Sequence, residues 1–318
     1  MAKKTESKLT QSEGSFVLRG IITGKDNPTK YNGYKEGTIE KGENKGKSWR
    51  SIRFLLKTSS DNSIPVELYG AERSFVNFYN KKEKINKKAE WSKKDLTAPD
   101  GYELIVPEYD IVKKINDKFH DGEVVLIVGQ CQFSTYVNNS GVTLRQIKYV
   151  INRIHSSKEA LEFDKEDFIE KNEFTQDIVI NSVEEEKEDA VKKLIVDSYI
   201  IGYNDSFFPA TFEIDVNARP KFAKNFKTLK FGDVLKARGK IHYRVKKEVV
   251  ESDWGEQVIN DVRTGLEITG VIEDSIEKRK YKEEDFVKPE QSDSDKAELD
   301  WSNVSEKVEN NKLPFDLD

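Results

Sequence analysis

Cysteine occurs once in this chain, at Cys131, so no internal disulfide can form. Histidine occurs three times, at His120, His155 and His242, and at no spacing that resembles a zinc-ligand set. No metal or other cofactor is therefore expected. No apolar run approaches the roughly 20 residues needed to cross a bilayer. The opening MAKKTESKLTQSEG lacks the hydrophobic stretch of a secretory signal. These absences predict a soluble, cytoplasmic protein with no membrane partner.

Catalytic signatures are missing as well. GENKGKS, Gly42 to Ser48, places three residues between its glycines where a phosphate loop needs four, and it leads into a strand-like pattern rather than a helix. KFHDG, Lys118 to Gly122, is one residue too long for the K-x-D-G signature of nucleotidyl-transferring ligases. There is no G-x-S-x-G elbow, no H-E-x-x-H, and no Cys/His pair spaced as a nucleophile and its base. The expectation is a protein that binds without catalysing.

What the chain does have is charge, at 35% of 318 residues, and that charge is segregated. Residues 1–13 carry +1, 14–155 carry +7, 156–192 carry −8, 193–282 carry +3 and 283–318 carry −8. Two basic bodies thus alternate with two acidic stretches, which predicts a polyanionic partner for the bodies and a different role for the tail.

The first body, residues 14–155, begins with the strand-like SFVLRGIITG, Ser15 to Gly24, followed by a long polar loop. In SWRSIRFLLKT, Ile52, Phe54 and Leu56 share one face and Trp49, Arg53 and Lys57 the other, because strand side chains alternate. IPVELYG is the next strand, with Val66 and Leu68 inward and Glu67 and Tyr69 outward. A lysine-rich excursion over about 71–110 follows. IVKKINDKF then has helical spacing, and EVVLIVGQCQFSTY and VTLRQIKYVINRI form two strands around VNNSG.

Three strands, a helix and a closing hairpin is the order of an OB-fold, a five-stranded Greek-key barrel. The second body, 193–282, repeats the plan: KLIVDSYIIGY, FPATFEIDV, a helix over RPKFAKNFKTL, then GDVLKARGKIHYRV and TGLEITGVIED. The predicted fold is mainly β, two tandem OB-fold barrels with short helices. Residues 1–13 are expected to be flexible, 156–192 to form an acidic linker, and 283–318 to be a disordered acidic tail.

Binding unpaired nucleic acid takes cations that follow phosphates and aromatic faces on which bases stack. In the first polar loop Lys30, Tyr31, Tyr34 and Lys35 interleave, and Lys47, Trp49, Arg53 and Lys57 continue onto the outward face of the second strand. Tyr69, Tyr136, Arg145 and Lys148 are candidates to extend the same groove. Capping of the barrel is the alternative reading of Trp49. The excursion's lysines, with Phe78, Tyr79 and Trp91, suggest a flap over the ligand. The second body has fewer such pairs and is expected to assist binding or to mediate homo-oligomer assembly.

The tail ends NNKLPFDLD, with Leu313, Pro314 and Phe315 as an apolar knob among acids. With two predicted OB-folds before it, the chain resembles the single-stranded DNA-binding proteins of bacteria and their bacteriophages. In that family an acidic tail ends in a tip such as D-D-D-I-P-F, which recruits DNA replication and recombination proteins. The resemblance implies single-stranded DNA as ligand and such proteins as partners of Leu313, Pro314 and Phe315. Here Lys312 precedes the knob and Asp316, Leu317 and Asp318 follow it. RNA is an alternative ligand, since stacking and phosphate contacts do not separate it from DNA unless the 2′-OH is read. A protein-interaction adaptor without nucleic-acid binding is the other alternative.

Overall fold

The computed structural model describes residues 8–95, 98–138, 140–186, 192–252 and 255–287, with side chains undescribed over 245–263. The expected tail knob, residues 313–315, lies outside the described residues.

Alternation drives the first barrel. β1 (Gly14–Thr23), β3 (Ser48–Lys57) and β4 (Ser63–Ala71) place Phe16, Leu18, Ile22, Ile52, Phe54, Leu56, Ile64 and Val66 inward and bury them almost completely. Fully burying one such side chain contributes about 1.5–3 kcal/mol. These three strands are antiparallel neighbours, β1 to β3 and β3 to β4. β4 then lies parallel to β9 (Thr143–Ser156), β9 antiparallel to β8 (Val124–Val137), and β8 antiparallel to β1, so the ring closes. Helix α1 (Glu108–Lys118) precedes β8 and buries Ile111, Val112 and Ile115. It approaches so closely that a Cβ on Gly70 of β4 would collide with the backbone of Tyr109.

The second ring repeats this order with β10 (Asn172–Glu186), β11 (Lys193–Ile201), β12 (Phe207–Asp215), α2 (Pro220–Phe226), β13 (Val234–Ser252) and β14 (Gly255–Glu277). β12 and β14 are the parallel pair, and β13 closes onto β10. Both rings have the OB-like Greek-key order. They join through antiparallel β1 and β10, where Phe16 faces Phe174. Each of these two rings lies under a glycine at a bulge of its own barrel, Gly129 for Phe16 and Gly239 for Phe174. A pseudo-twofold relation follows, and one continuous apolar cluster spans both barrels.

Four stretches differ from the sequence reading. The acidic stretch 156–192 contains β10, the first strand of the second barrel, rather than being a linker throughout. The polar loop after β1 contains β2 (Gly33–Thr38), which pairs with β3 and widens the sheet. Within 71–110, β5 (Phe75–Asn80), β6 (Ile85–Glu90) and β7 (Glu103–Ile105) form a separate three-stranded sheet. That sheet is tied to α1 by Arg73 with Glu108 at 2.8 Å, Lys94 with Asp110 at 2.7 Å, and Trp91 edge-on to Tyr109 at 5.8 Å. Finally, the two closing strands of the second body, read as GDVLKARGKIHYRV and TGLEITGVIED, continue through the stretch between them as β13–β14 ribbon up to Ser252 opposite Gly255.

The ends of the described chain are also held. Leu9 is buried with Tyr281 and Phe286 against the second barrel, which anchors the segment before β1 there. Ser12 exchanges hydrogen bonds with the backbone of Ile201, its N–H donating to the carbonyl and its Oγ accepting from the Ile201 N–H. At the seam between barrels, buried Asn62 and Asn172 both donate to the Ile241 carbonyl, at 3.0 and 2.7 Å. Their oxygens accept the N–H groups of Tyr243 and Ile241, and Glu170 accepts from both amides. Polar side chains buried this deeply are stable only when paired, and these are.

Candidate nucleic-acid interface

The outward face of β2, β3 and β4 is set by register. Cross-strand partners in an antiparallel pair point the same way. Gly37, Trp49 and Ala71 are therefore one row, Lys35, Ser51 and Tyr69 the next, and Gly33, Arg53 and Glu67 the third. Lys148, on neighbouring β9, reaches this third row through Glu67, its Nζ 3.1 Å from Oε1. Arg53 faces the other oxygen of Glu67, with Nε at 3.9 Å.

Trp49 and Tyr69 stack diagonally across the rows, with ring centroids 6.1 Å apart and planes 24° from parallel. The indole also lies over Gly37, where an added Cβ would meet it at 3.0 Å, so the glycine leaves room for the ring. One face of Trp49 is thus spent on β2, which answers to the cap reading. Tyr69 remains 50% exposed. The rows bring together Lys35, Trp49, Arg53, Tyr69 and Lys148.

Near β2, Tyr31 is 67% exposed with the Lys30 ammonium 5.6 Å from its ring centroid. Lys35 donates to the Lys30 carbonyl, which folds the bend back on the strand. Lys57 lies at the far end of the face, 5.3 Å from the ring of Phe163 on the acidic connector.

Four expected residues lie elsewhere. Tyr34 pairs with Ile52, an inward position of β3, so it occupies the opposite face from Lys35. There it packs on the core and donates to Glu36 at 2.5 Å. Burial, helped by that carboxylate, pushes its phenol up to about 12. Arg50 is on the same side, its guanidinium 3.9 Å from the Tyr109 ring centroid and 3.5 Å from Glu36. Lys47 closes the turn before β3 by donating to Asn44 at 2.6 Å. Arg145 leaves its own barrel and meets Asp197 of the second at 2.8 Å, donating also to Thr211. Tyr136 sits on the same hairpin, 48% exposed, beside exposed Val137, Val142 and Leu144.

Glu67 is the member of the face that the sequence reading placed outward without giving it a role. Its signal was parity with Arg53 across the β3–β4 turn. A carboxylate between two cations neutralises them internally. Cys131, by contrast, is partly buried against the core, and burial pushes its thiol to about 12, which disfavours the reactive thiolate.

The architecture is that of two OB-like barrels, the first of which displays a stacked aromatic pair with lysine and arginine beside it on one sheet face. The model of the YorF family matches residues 26–303, and the chain belongs to that family. Nothing among curated proteins matches it. Two solved structures of the single-stranded DNA binding protein from Thermus aquaticus are similar to it. The wild type has a TM-score of 0.41 at 9% identity, covering 83% of this chain and 93% of that one. A deletion mutant has a TM-score of 0.42 at 8% identity, covering 82% and 94%. Such values are too low for the likeness to bear on function.

Proposed function

We propose that this protein binds single-stranded DNA without sequence preference along the outward face of β2, β3 and β4, and that it does so without catalysis. The observation that carries this reading is the Trp49–Tyr69 stack flanked by Lys35, Arg53 and Lys148. An unpaired base stacks against the half-exposed Tyr69 ring of this pair, a contact on the order of 1–3 kcal/mol that every base can make. The three cations lie in the next two rows, where they follow the phosphates on either side of the stacked base. Tyr31 and Lys30 extend the track beyond β2. Duplex DNA keeps its bases stacked on one another and has none to offer, so the face discriminates by strandedness.

In this reading the acidic tail carries Leu313, Pro314 and Phe315 as a short anchor for replication or recombination proteins. Proline fixes the backbone beside the phenylalanine, which lowers the ordering cost of docking. Deleting residues 310–318 is expected to leave DNA affinity intact and to abolish capture of such partners.

The test is an oligo-dT titration at two salt concentrations, with matched oligo-rU and duplex DNA in parallel. The expected result is salt-sensitive binding to oligo-dT, with log affinity falling by about 0.7 per neutralised phosphate for each decade of salt. Preference for oligo-rU would transfer the function to RNA. Absence of salt-sensitive binding to any of the three would overturn the proposal.

A further inference from the structure

The two barrels can be aligned position by position. In each, the second and third strands are joined by a turn closed in the same way, Thr58 N–H to the Asn62 carbonyl at 3.0 Å and Gly202 N–H to the Ser206 carbonyl at 2.7 Å. Counting outward from these turns matches Leu55 and Pro65 with Tyr199 and Pro209, a shared proline at the same place. The next outward rows match Arg53 and Glu67 with Asp197 and Thr211, Ser51 and Tyr69 with Ile195 and Glu213, and Trp49 and Ala71 with Lys193 and Asp215.

The chemistry of the first barrel is thus inverted in the second. Arginine becomes aspartate, the exposed tyrosine becomes glutamate, and the tryptophan becomes a lysine that is itself paired with Glu213 at 2.8 Å. Only residues 187–192 separate β10 from β11, so there is no room for a counterpart of β2 and its tyrosine-lysine bend. Asp197, Glu213 and Asp215, one in each of three successive rows, repel phosphate at short range.

The face is also filled by the chain itself. At its centre sits Arg145 from the first barrel's hairpin, on Asp197 and Thr211. At its turn end, Phe286 stacks on Tyr199 with centroids 4.7 Å apart and planes 15° from parallel, and meets Phe207 edge-on at 5.2 Å. Tyr281 and Leu9 complete that cluster.

Building on the proposed DNA binding, we infer that nucleic acid is bound by the first barrel alone, and that the equivalent face of the second barrel serves as an internal seat for the first barrel's hairpin and for both terminal segments. The chain is a two-barrel protein with a one-barrel binding site. The tail consequently leaves from the non-binding barrel, since Phe286 fixes the chain there immediately before residues 288–318.

The experiment uses the full chain and dT oligomers of increasing length. Affinity is expected to level off within the span of a single OB-fold, at most about 16 nucleotides. Lys193→Ala should leave both affinity and salt slope unchanged, whereas Lys35→Ala should lower affinity and reduce the slope by about 0.7. Ultraviolet cross-linking should mark peptides carrying Trp49 and Tyr69 and spare those carrying Tyr199 and Phe207. A one-to-one affinity that keeps rising beyond the single-barrel length, a slope lost with Lys193→Ala, or cross-links on β11 and β12 would each overturn the inference while leaving DNA binding itself intact. If no oligomer binds, it is the functional reading that fails, and this inference with it.

Discussion

Replacing Glu67 with glutamine isolates the one negative charge in the centre of the proposed interface. The carboxylate lies 3.1 Å from the Lys148 ammonium and 3.9 Å from Arg53 Nε, and all three side chains are in partial contact with solvent. Ion pairs of this kind contribute little to stability, about 0–1 kcal/mol, so Glu67→Gln should fold normally. Its effect on binding is larger. A phosphate about 6 Å from the carboxylate is repelled by about 0.7 kcal/mol in a water-like dielectric, and removing that repulsion should tighten binding by about threefold. The salt dependence offers a sharper reading. While Glu67 neutralises Arg53 and Lys148, a phosphate arriving there displaces a carboxylate and releases few counterions. Once glutamine replaces it, both cations carry counterions that binding must release, and the slope of log affinity against log salt should steepen by up to about 1.4. Fluorescence anisotropy of a labelled dT oligomer between about 50 and 200 mM salt measures both quantities. Weaker binding by Glu67→Gln would refute the reasoning, because it would mean that the carboxylate holds Arg53 and Lys148 in place for the ligand instead of competing with it.

Tyr34→Phe should leave DNA affinity unchanged within error, since the residue lies on the face that packs against Arg50 and Tyr109. In a spectrophotometric titration this variant should lose a phenol that ionises near 12, above the usual value of about 10. Because that folded value is raised, the protonated phenol's contribution to stability is complete below pH of about 10 and is lost as pH climbs through the folded value. Asn62→Ala should cost on the order of 2–4 kcal/mol by leaving the Tyr243 N–H without its acceptor and opening a small cavity at the seam. The readout is a lower urea midpoint with unchanged m. A loss below about 0.5 kcal/mol would show that the seam relaxes around the missing amide.

Much of the fold was legible because apolar alternation was undiluted. Ile52, Phe54 and Leu56 gave β3 its inward face, and Ile111, Ile115 and Phe119 gave α1 its spacing; all six are buried. β10 escaped for a physical reason. Its inward positions run Asn172, Phe174, Gln176, Ile178 and Ile180, so polar side chains serving the seam and the strand ends interrupt the alternation within an acidic stretch. β2 escaped because GYKEGT has glycines at two of its six positions and little apolar content. Missing that strand also misplaced Tyr34, since a residue next to Lys35 in a strand must face the other way. Trp49, Arg53 and Tyr69 were found together because β3 and β4 were read with the correct phase. Arg145 was not, because its partner Asp197 is 52 residues away on another barrel and no local pattern reports such a contact.

The most direct test of the account compares the wild-type chain with Trp49→Ala in titrations of the same dT oligomer at one low salt concentration. The indole supports Tyr69 from beneath and forms half of the stacking platform. Its loss should weaken binding by about 1–3 kcal/mol, roughly 5- to 150-fold, at a temperature where both proteins are folded. Equal affinity for the two proteins would contradict the claim that this face holds the strand.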